Sequence, residues 1–240
     1  MIKLNNVAEK EFVYYEDIDE LIKWLKDNLK RFVTEVHLHH CWKPDKSSYL
    51  NSNDKNALIQ KIFYYDTKVK GNTDFSYHLL ITPDGRIWLN RDINSPPSSI
   101  KGRNGTEQFG PISVAILGNF DVGKDKLEGV QKERLIVLLD VLMKMYHIND
   151  EKLIFLSDSS PRTSPGNTIN KCELLRLIWG DEKIDTNIKD IEGHPYEDAI
   201  KQAVELGAMG IFSDGRFRPN AVVTRADLAK FFCKIYGGIK

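Results

Sequence analysis

The pattern of apolar and polar positions predicts helices and strands interspersed over about the first 180 residues. Between residues 16 and 32, apolar side chains recur at the three- and four-residue spacing of a helix, namely Ile18, Leu21, Ile22, Leu25 and Leu29. Asp17 precedes them as a suitable N-cap. Further helices are predicted over DKNALIQKIFYYDTKV, VQKERLIVLLDVLMKMY and NKCELLRLIW. Strands are predicted over VTEVHLHHC, YHLLI, RIWLN, ISVAILG and KLIFL, the second and third forming a hairpin around PDG.

Strands interspersed with helices are typical of an α/β fold. We therefore predict an α/β sheet with helices on its faces, over residues 1–180. The polar stretch GDEKIDTNIKDIEGHP lacks periodicity, which predicts a linker at residues 181–189. Beyond it, residues 190–240 contain two short amphipathic patterns, PYEDAIKQAVELG and TRADLAKFFCKIY, and we predict a small α-helical domain there.

Composition excludes several classes of protein. The 34 Lys and Arg residues balance 34 Asp and Glu residues, which argues against nucleic-acid binding through a basic face. No apolar run is long enough to span a membrane. Three cysteines without a CxxC pair do not indicate a disulfide framework. Since the first residues show no apolar segment of a signal peptide, we expect synthesis in the cytoplasm.

Three histidines lie close together in one predicted strand. Alternation places His37, His39 and Cys41 on one face of the strand and His40 on the other. Two histidines at positions i and i+2 on one face favour a metal site, because neutral imidazole is a common zinc ligand. The three side chains on that face span about 13 Å at 3.3 Å per residue, so they are too far apart to hold one ion together.

Five motifs occur in a characteristic order: VHLHHCW, DFSYHLLITPDGRIWLNRD, SSIKGRN, VAILGNFD and SDSSPRTSPG. In order and spacing they resemble the zinc-dependent N-acetylmuramoyl-L-alanine amidases, a family that includes phage amidase lysozymes and peptidoglycan recognition proteins. The resemblance covers about residues 30–180. It implies a mixed central β-sheet flanked by helices, which agrees with the pattern above, and an activity that cleaves the amide between N-acetylmuramic acid and L-alanine of the stem peptide.

The same resemblance implies a zinc ion held by two histidines and a cysteine or aspartate, with one position open for water. His39 matches the first histidine. Ser164 of Ser-Pro-Gly stands in place of the cysteine, and Leu156, eight residues earlier, stands in place of the second histidine. Two of three ligands are therefore replaced, and we expect no cofactor, or zinc only if the protein is active. A displaced site using His37 and Asp158 is the alternative.

Other motif positions keep suitable chemistry. The resemblance implies that Tyr77 orients or activates the water, and that Arg162 stabilises the oxyanion, if the chain is active. It also implies that the SSIKGRN loop, with Lys101 and Asn104, lines the substrate groove.

Residues 190–240 resemble a single S-layer homology repeat, on the basis of His194-Pro195-Tyr196, Asp214-Gly215 and Thr224-Arg225-Ala226-Asp227. This resemblance implies anchoring to secondary cell-wall polysaccharide, with Arg225 contacting an anionic sugar. Such repeats occur in threes. A lone repeat is expected to leave an apolar patch exposed, formed by Val204, Leu228, Phe231, Phe232 and Ile235. Three chains could bury it as a cyclic trimer. The alternative is that the repeat folds back onto the amidase-like domain of its own chain and the protein stays monomeric.

Three functions therefore remain open. The first is a peptidoglycan-binding pseudo-amidase anchored by its C-terminal repeat. The second is an active endolysin-type amidase with a rearranged zinc site. The third is a structural component of a phage or similar particle. We expect the partners to be peptidoglycan and wall polysaccharide, reached after phage lysis or as part of a particle.

Overall fold

The computed structural model describes residues 12–158, 160–179, 188–205, 209–211, 215–225 and 228. The chain divides into two compact units, Met1–Ile169 and Asn170–Lys240. Of the predicted linker at 181–189, only Ile188 and Lys189 belong to the described residues. No helix in the described part of the chain is long and apolar enough to cross a membrane.

The first unit is built on a mixed six-stranded sheet. Its strands are β1 (Val13–Tyr15), β2 (Phe32–Cys41), β3 (Leu79–Ile81), β4 (Ile87–Leu89), β5 (Phe109–Leu117) and β6 (Leu153–Phe155), in the spatial order β1-β4-β3-β5-β2-β6. β2 runs parallel to both β5 and β6, and β3 runs parallel to β5. The hairpin partners β3 and β4 are antiparallel, as are β1 and β4. The predicted fold class is confirmed.

Helices flank this sheet: α1 (Ile18–Asn28), α2 (Lys46–Leu50), α3 (Lys55–Tyr64) and α4 (Gly129–Met145). The side chains of Asp17, Asp45 and Asp54 cap the first three by accepting backbone N–H groups. The helix predicted over residues 54–69 ends as an α-helix at Tyr64 and continues as a π-helical turn, Tyr65–Val69. Single π-helical turns occur frequently at functional sites.

One apolar cluster joins the sheet to α3. It contains Cys41, Tyr77, Leu80, Trp88 and Ala115 from the strands and their flanks, and Ile59 and Ile62 from α3. Every one of these side chains is at most 9% exposed. The cluster therefore fixes the positions of β2 and of the segment before β3, which carry the candidate site residues.

The second unit contains α5 (Lys171–Trp179) and α6 (Glu197–Glu205). Ile188, Ile191, Ile200 and Val204 form a small buried core. The prediction that Val204 is exposed in a single chain is wrong, because Val204 packs into this core and is 6% exposed. Leu228 is 47% exposed. Phe231, Phe232 and Ile235, the other members of the predicted patch, lie outside the described residues.

A carboxylate organises the loop that follows α6. The two oxygens of Asp190 accept the backbone N–H groups of Phe217 and Arg218, each at 2.7 Å. The Lys189 N–H donates to the Gly215 carbonyl at 3.1 Å. Together these three bonds hold residues 189 and 190 against residues 215–218.

Candidate functional site

The structure places the three positions implied as ligands on neighbouring segments. Leu38 of β2 pairs with Phe155 of β6, the last pair between these strands. The next residues are His39, still within β2, and Leu156, which begins a 3-10 turn, Leu156–Asp158. The Ser157 N–H donates to the Ser164 carbonyl at 3.0 Å. The Ser164 Oγ also accepts the His40 N–H, so the segments that carry positions 39, 156 and 164 lie next to one another near the end of β6.

The loop that carries Ser164 is held by close contacts to Phe120. Gly166 has φ +121°, and a Cβ there would lie 2.5 Å from the Phe120 carbonyl oxygen. Any other residue would clash at this point. The Phe120 carbonyl also accepts the Thr168 N–H at 3.1 Å. The Ser-Pro-Gly sequence thus fixes the position of the Ser164 side chain.

His39 is a buried, neutral imidazole. It is 2% exposed, and its ring lies 5.4 Å from the Tyr77 ring and 6.2 Å from the His37 ring. Burial, followed by repulsion from His37, His40 and Lys70, lowers its pKa to about 3. Within the described residues its Nε2 atom has no hydrogen-bond partner. His39 is therefore a neutral imidazole whose Nε2 atom makes no hydrogen bond within the described residues, and neutral imidazole is the form that binds metals.

The other two positions do not fit zinc. Leu156 carries no donor atom, and a neutral hydroxyl such as that of Ser164 is a poor zinc ligand beside thiolate or imidazole. The Ser164 Oγ already accepts the backbone N–H of His40 at 3.2 Å. Over the described residues, no three His, Cys, Asp or Glu side chains are grouped so that they could hold a metal ion.

The two possible substitutes are engaged elsewhere. His37 is fully buried, with Nε2 at 3.1 Å from a Glu35 oxygen and Nδ1 at 3.3 Å from the Ser99 Oγ. Burial lowers the pKa of His37 to about 4, although Glu35 opposes this. Asp158 accepts the Phe155 N–H at 2.9 Å. A displaced zinc site would have to break these contacts.

Tyr77 and Arg162 lie close enough to interact electrostatically. Tyr77 is 9% exposed, and its burial raises the pKa of the phenol well above the ordinary value. Nearby Cys41 and Asp66 act in the same direction, whereas Arg162 acts against it. Tyr77 is therefore a neutral hydrogen-bonding group at neutral pH, and the exposed Arg162 supplies positive charge beside it.

The loop predicted to line the groove is ordered by one of its own side chains. Asn104 Oδ1 accepts the N–H groups of Ser99 and Ile100, at 3.1 and 3.0 Å. Lys101 is exposed. The sequence analysis missed the neighbouring Arg103, which donates two hydrogen bonds to Glu35, at 2.7 and 2.9 Å. Asn104 therefore shapes the loop, and Arg103 ties the loop to β2.

Burial would by itself raise the pKa of Glu35, but hydrogen bonds from Arg103 and His37 lower it to about 2. Glu35 is thus an ionised carboxylate that receives one hydrogen bond from a neutral His37. The contact fixes the imidazole tautomer, with the proton on Nε2.

A second missed group lies on the π-helical turn. Asp66 is 1% exposed, and its Oδ1 accepts from the Lys70 Nζ at 2.7 Å. The Lys70 ammonium lies 5.9 Å from the centre of the Tyr77 ring. The four-residue spacing of Asp66 and Lys70 is a sequence signal for such a pair, but nothing in the sequence alone indicates that the pair reaches Tyr77.

In the second unit, Arg225 is exposed. The Asp190 contacts described above hold residues 217 and 218 seven or eight positions before it.

The chain belongs to the N-acetylmuramoyl-L-alanine amidase family, because the family model matches residues 29–167. Residues 187–229 match the S-layer homology domain. Both predicted resemblances are confirmed. No curated protein sequence matches the chain.

Several solved structures are similar to this chain. The structure of bumblebee PGRP-SA is 19% identical, covers 62% of this chain and 82% of its own, and has a TM-score of 0.49. The amidase LysC from Clostridium intestinale is 25% identical, covers 61% and 85%, and has a TM-score of 0.48. The Ph2119 endolysin from a Thermus scotoductus bacteriophage is 20% identical, covers 65% and 94%, and has a TM-score of 0.47.

Proposed function

We propose that this protein binds peptidoglycan without hydrolysing it by zinc chemistry, and that its S-layer homology region attaches it to secondary cell-wall polysaccharide. The observation that carries the proposal is that Leu156 and Ser164 occupy two of the three ligand positions of the family, and only His39 is kept. A three-ligand zinc site needs donor atoms at all three positions. Here an alkyl chain occupies one, and a hydroxyl that already accepts the His40 N–H occupies another.

The polar groups around the three ligand positions support the binding of peptidoglycan. Tyr77, Arg162 and the loop held by Asn104 and Arg103 contribute a hydroxyl, a cation and an ordered groove edge. None of these groups needs a metal to form hydrogen bonds with a glycan or a peptide. The same fold can therefore recognise the substrate of the family while lacking the Lewis acid that activates water.

The S-layer homology region supports attachment to the wall. Arg225 is exposed and carries the fork of donors that suits a carboxylate or another anionic sugar substituent. We propose an anionic wall polysaccharide as its partner, which would keep the amidase-family unit near peptidoglycan.

The proposal predicts less than about 0.1 equivalent of zinc in the purified protein, since His39 alone cannot hold the ion tightly. It also predicts sedimentation with purified peptidoglycan and no dye release from labelled cell walls. Elemental analysis, co-sedimentation and the dye-release assay measure these three quantities on one preparation. Bovine serum albumin and an active zinc amidase serve as the negative and positive controls.

One equivalent of tightly bound zinc that is lost in His39→Ala would contradict the proposal. Together with dye release, it would favour an active amidase with a rearranged site. Failure to sediment with peptidoglycan, in a protein that is folded, would instead favour the role of a particle component.

Association into a cyclic trimer through the S-layer homology region stays a prediction. Leu228, 47% exposed, is the described member of the patch that would contribute to the contact, whereas Val204 is used within its own unit. Light scattering on the full chain measures the mass. A mass of about 83 kDa, three times the 27.6 kDa of one chain, is expected for the trimer, and a monomer at all concentrations tested contradicts it.

A further inference from the structure

Lys70 lies at one edge of the candidate site and is held there by several contacts. Its Nζ donates to Asp66 Oδ1 at 2.7 Å and lies 3.4 Å from the Ser76 Oγ. The ammonium is 5.3 Å from the centre of the Tyr65 ring and 5.9 Å from that of Tyr77. Both distances are within the range of a cation–π interaction. The side chain is therefore positioned although it is 37% exposed.

The partner of Lys70 is fixed more firmly than a surface carboxylate would be. The side chain of Asp66 is 1% exposed. Its Oδ2 accepts the Ser76 N–H at 2.7 Å, and its backbone carbonyl accepts the Asn72 N–H at 3.0 Å. The pair therefore joins the π-helical turn to the segment that carries Tyr77, and its exposed end is the ammonium.

The electrostatic surroundings favour an anion. The charged side chains that influence Tyr77 are Asp66 and Arg162, and Lys70 lies over the ring. Arg162 and Lys70 carry two positive charges and Asp66 carries one negative charge, which leaves a net positive charge beside Tyr77. The field at this end of the groove therefore attracts negative groups.

We propose that Lys70 is a ligand-binding residue whose ammonium pairs with a carboxylate of the peptidoglycan stem peptide. The ammonium carries three donor hydrogens, and its described oxygen partners are Asp66 and Ser76. The third donor is available to a ligand that enters beside Tyr77. This inference rests on the proposed binding of peptidoglycan, and it gives that binding a charge requirement.

Isothermal titration of the full chain tests the proposal with two soluble ligands. One is a disaccharide–peptide with free carboxylates, and the other is the same compound with its carboxylates amidated. Since hydrogen bonds to charged groups are the stronger class, we expect the wild type to bind the free acid about tenfold or more tightly than the amide. Lys70→Met should bind both ligands equally, at the lower affinity.

The variants separate recognition from structure. Lys68→Met removes an exposed charge from the same turn and should behave as the wild type. Lys70→Arg should keep a preference for the free acid. Lys70→Gln, which can still donate to Asp66, replaces Lys70→Met if that variant melts at a lower temperature.

The outcomes also distinguish this proposal from the function on which it rests. If the wild type binds both ligands equally, or if Lys70→Met and Lys70→Gln keep the preference for the free acid, Lys70 does not bind the carboxylate and peptidoglycan binding stands. If the folded wild type binds neither ligand nor intact peptidoglycan, the proposed function itself is wrong.

Discussion

Combining Leu156→His with Ser164→Cys is expected to create a three-ligand zinc site with His39. The Leu38–Phe155 pair holds the chain just before position 156 against β2, and the Ser164 side chain contacts the N–H of His40, the residue after His39. The double variant would therefore present two imidazoles and a thiolate, which is the donor set of a three-ligand zinc centre. His39 is already neutral and buried, with a free Nε2 among the described contacts.

Each single variant should bind zinc at least about 100-fold more weakly than the double variant, because loss of even an outer partner of a zinc ligand costs 10- to 100-fold. Competition with a chromogenic chelator measures the affinities, and the thermal shift with zinc gives an independent reading. Adding His39→Ala to the double variant should abolish binding. A folded double variant that binds no zinc would mean that positions 39, 156 and 164 do not face a common point.

Asp190→Ala should destabilise the second unit while leaving the first unit folded. The carboxylate accepts two backbone N–H groups at 2.7 Å, and hydrogen bonds to charged groups are worth about 1.5–3 kcal/mol each. Because water can replace part of these hydrogen bonds, we expect the free energy of unfolding of the second unit to fall by about 2–4 kcal/mol. A unit of this size has a small core, so this loss is comparable with its whole stability.

Hydrogen exchange measures this effect separately for the two units. Amides of α6 should lose protection in Asp190→Ala, whereas amides of β2 and β5 should exchange as in the wild type. Binding to wall polysaccharide should fall in parallel. Glu192→Ala, which removes an exposed carboxylate nearby, is the matched control. Unchanged protection of α6 would show that the two hydrogen bonds contribute little.

The main features of the sheet could be predicted because its long strands carry strong apolar signals. β2 and β5 are nine or ten residues long and mostly buried, and the β3–β4 hairpin surrounds a clear turn sequence. β1 was not predicted. Only three residues of it pair with β4, and Val13 and Tyr14 are exposed. A short edge strand has too few alternating positions to produce a pattern.

The candidate site was predictable where a motif fixes a residue and not where a contact depends on tertiary structure. His39, Tyr77 and Ser164 lie in motifs. Lys70 lies outside the motifs and Arg103 lies inside SSIKGRN, but the role of each depends on a carboxylate that only the folded chain reveals as its partner. These are the buried Asp66 on the π-helical turn for Lys70, and Glu35 on β2, 68 positions before Arg103. No periodicity in the sequence indicates that the α-helix becomes a π-helix at Tyr65.

The order of strands has a consequence for how such a protein can change its activity. His39 stands on β2, which has neighbours on both sides, whereas Leu156 follows β6, the three-residue strand at the border of the sheet. Replacing a residue after a border strand disturbs few packed neighbours. The fold thus places one ligand position of the family, at His39, where packing on both sides constrains it, and another, at Leu156, where a substitution leaves the interior of the sheet unchanged.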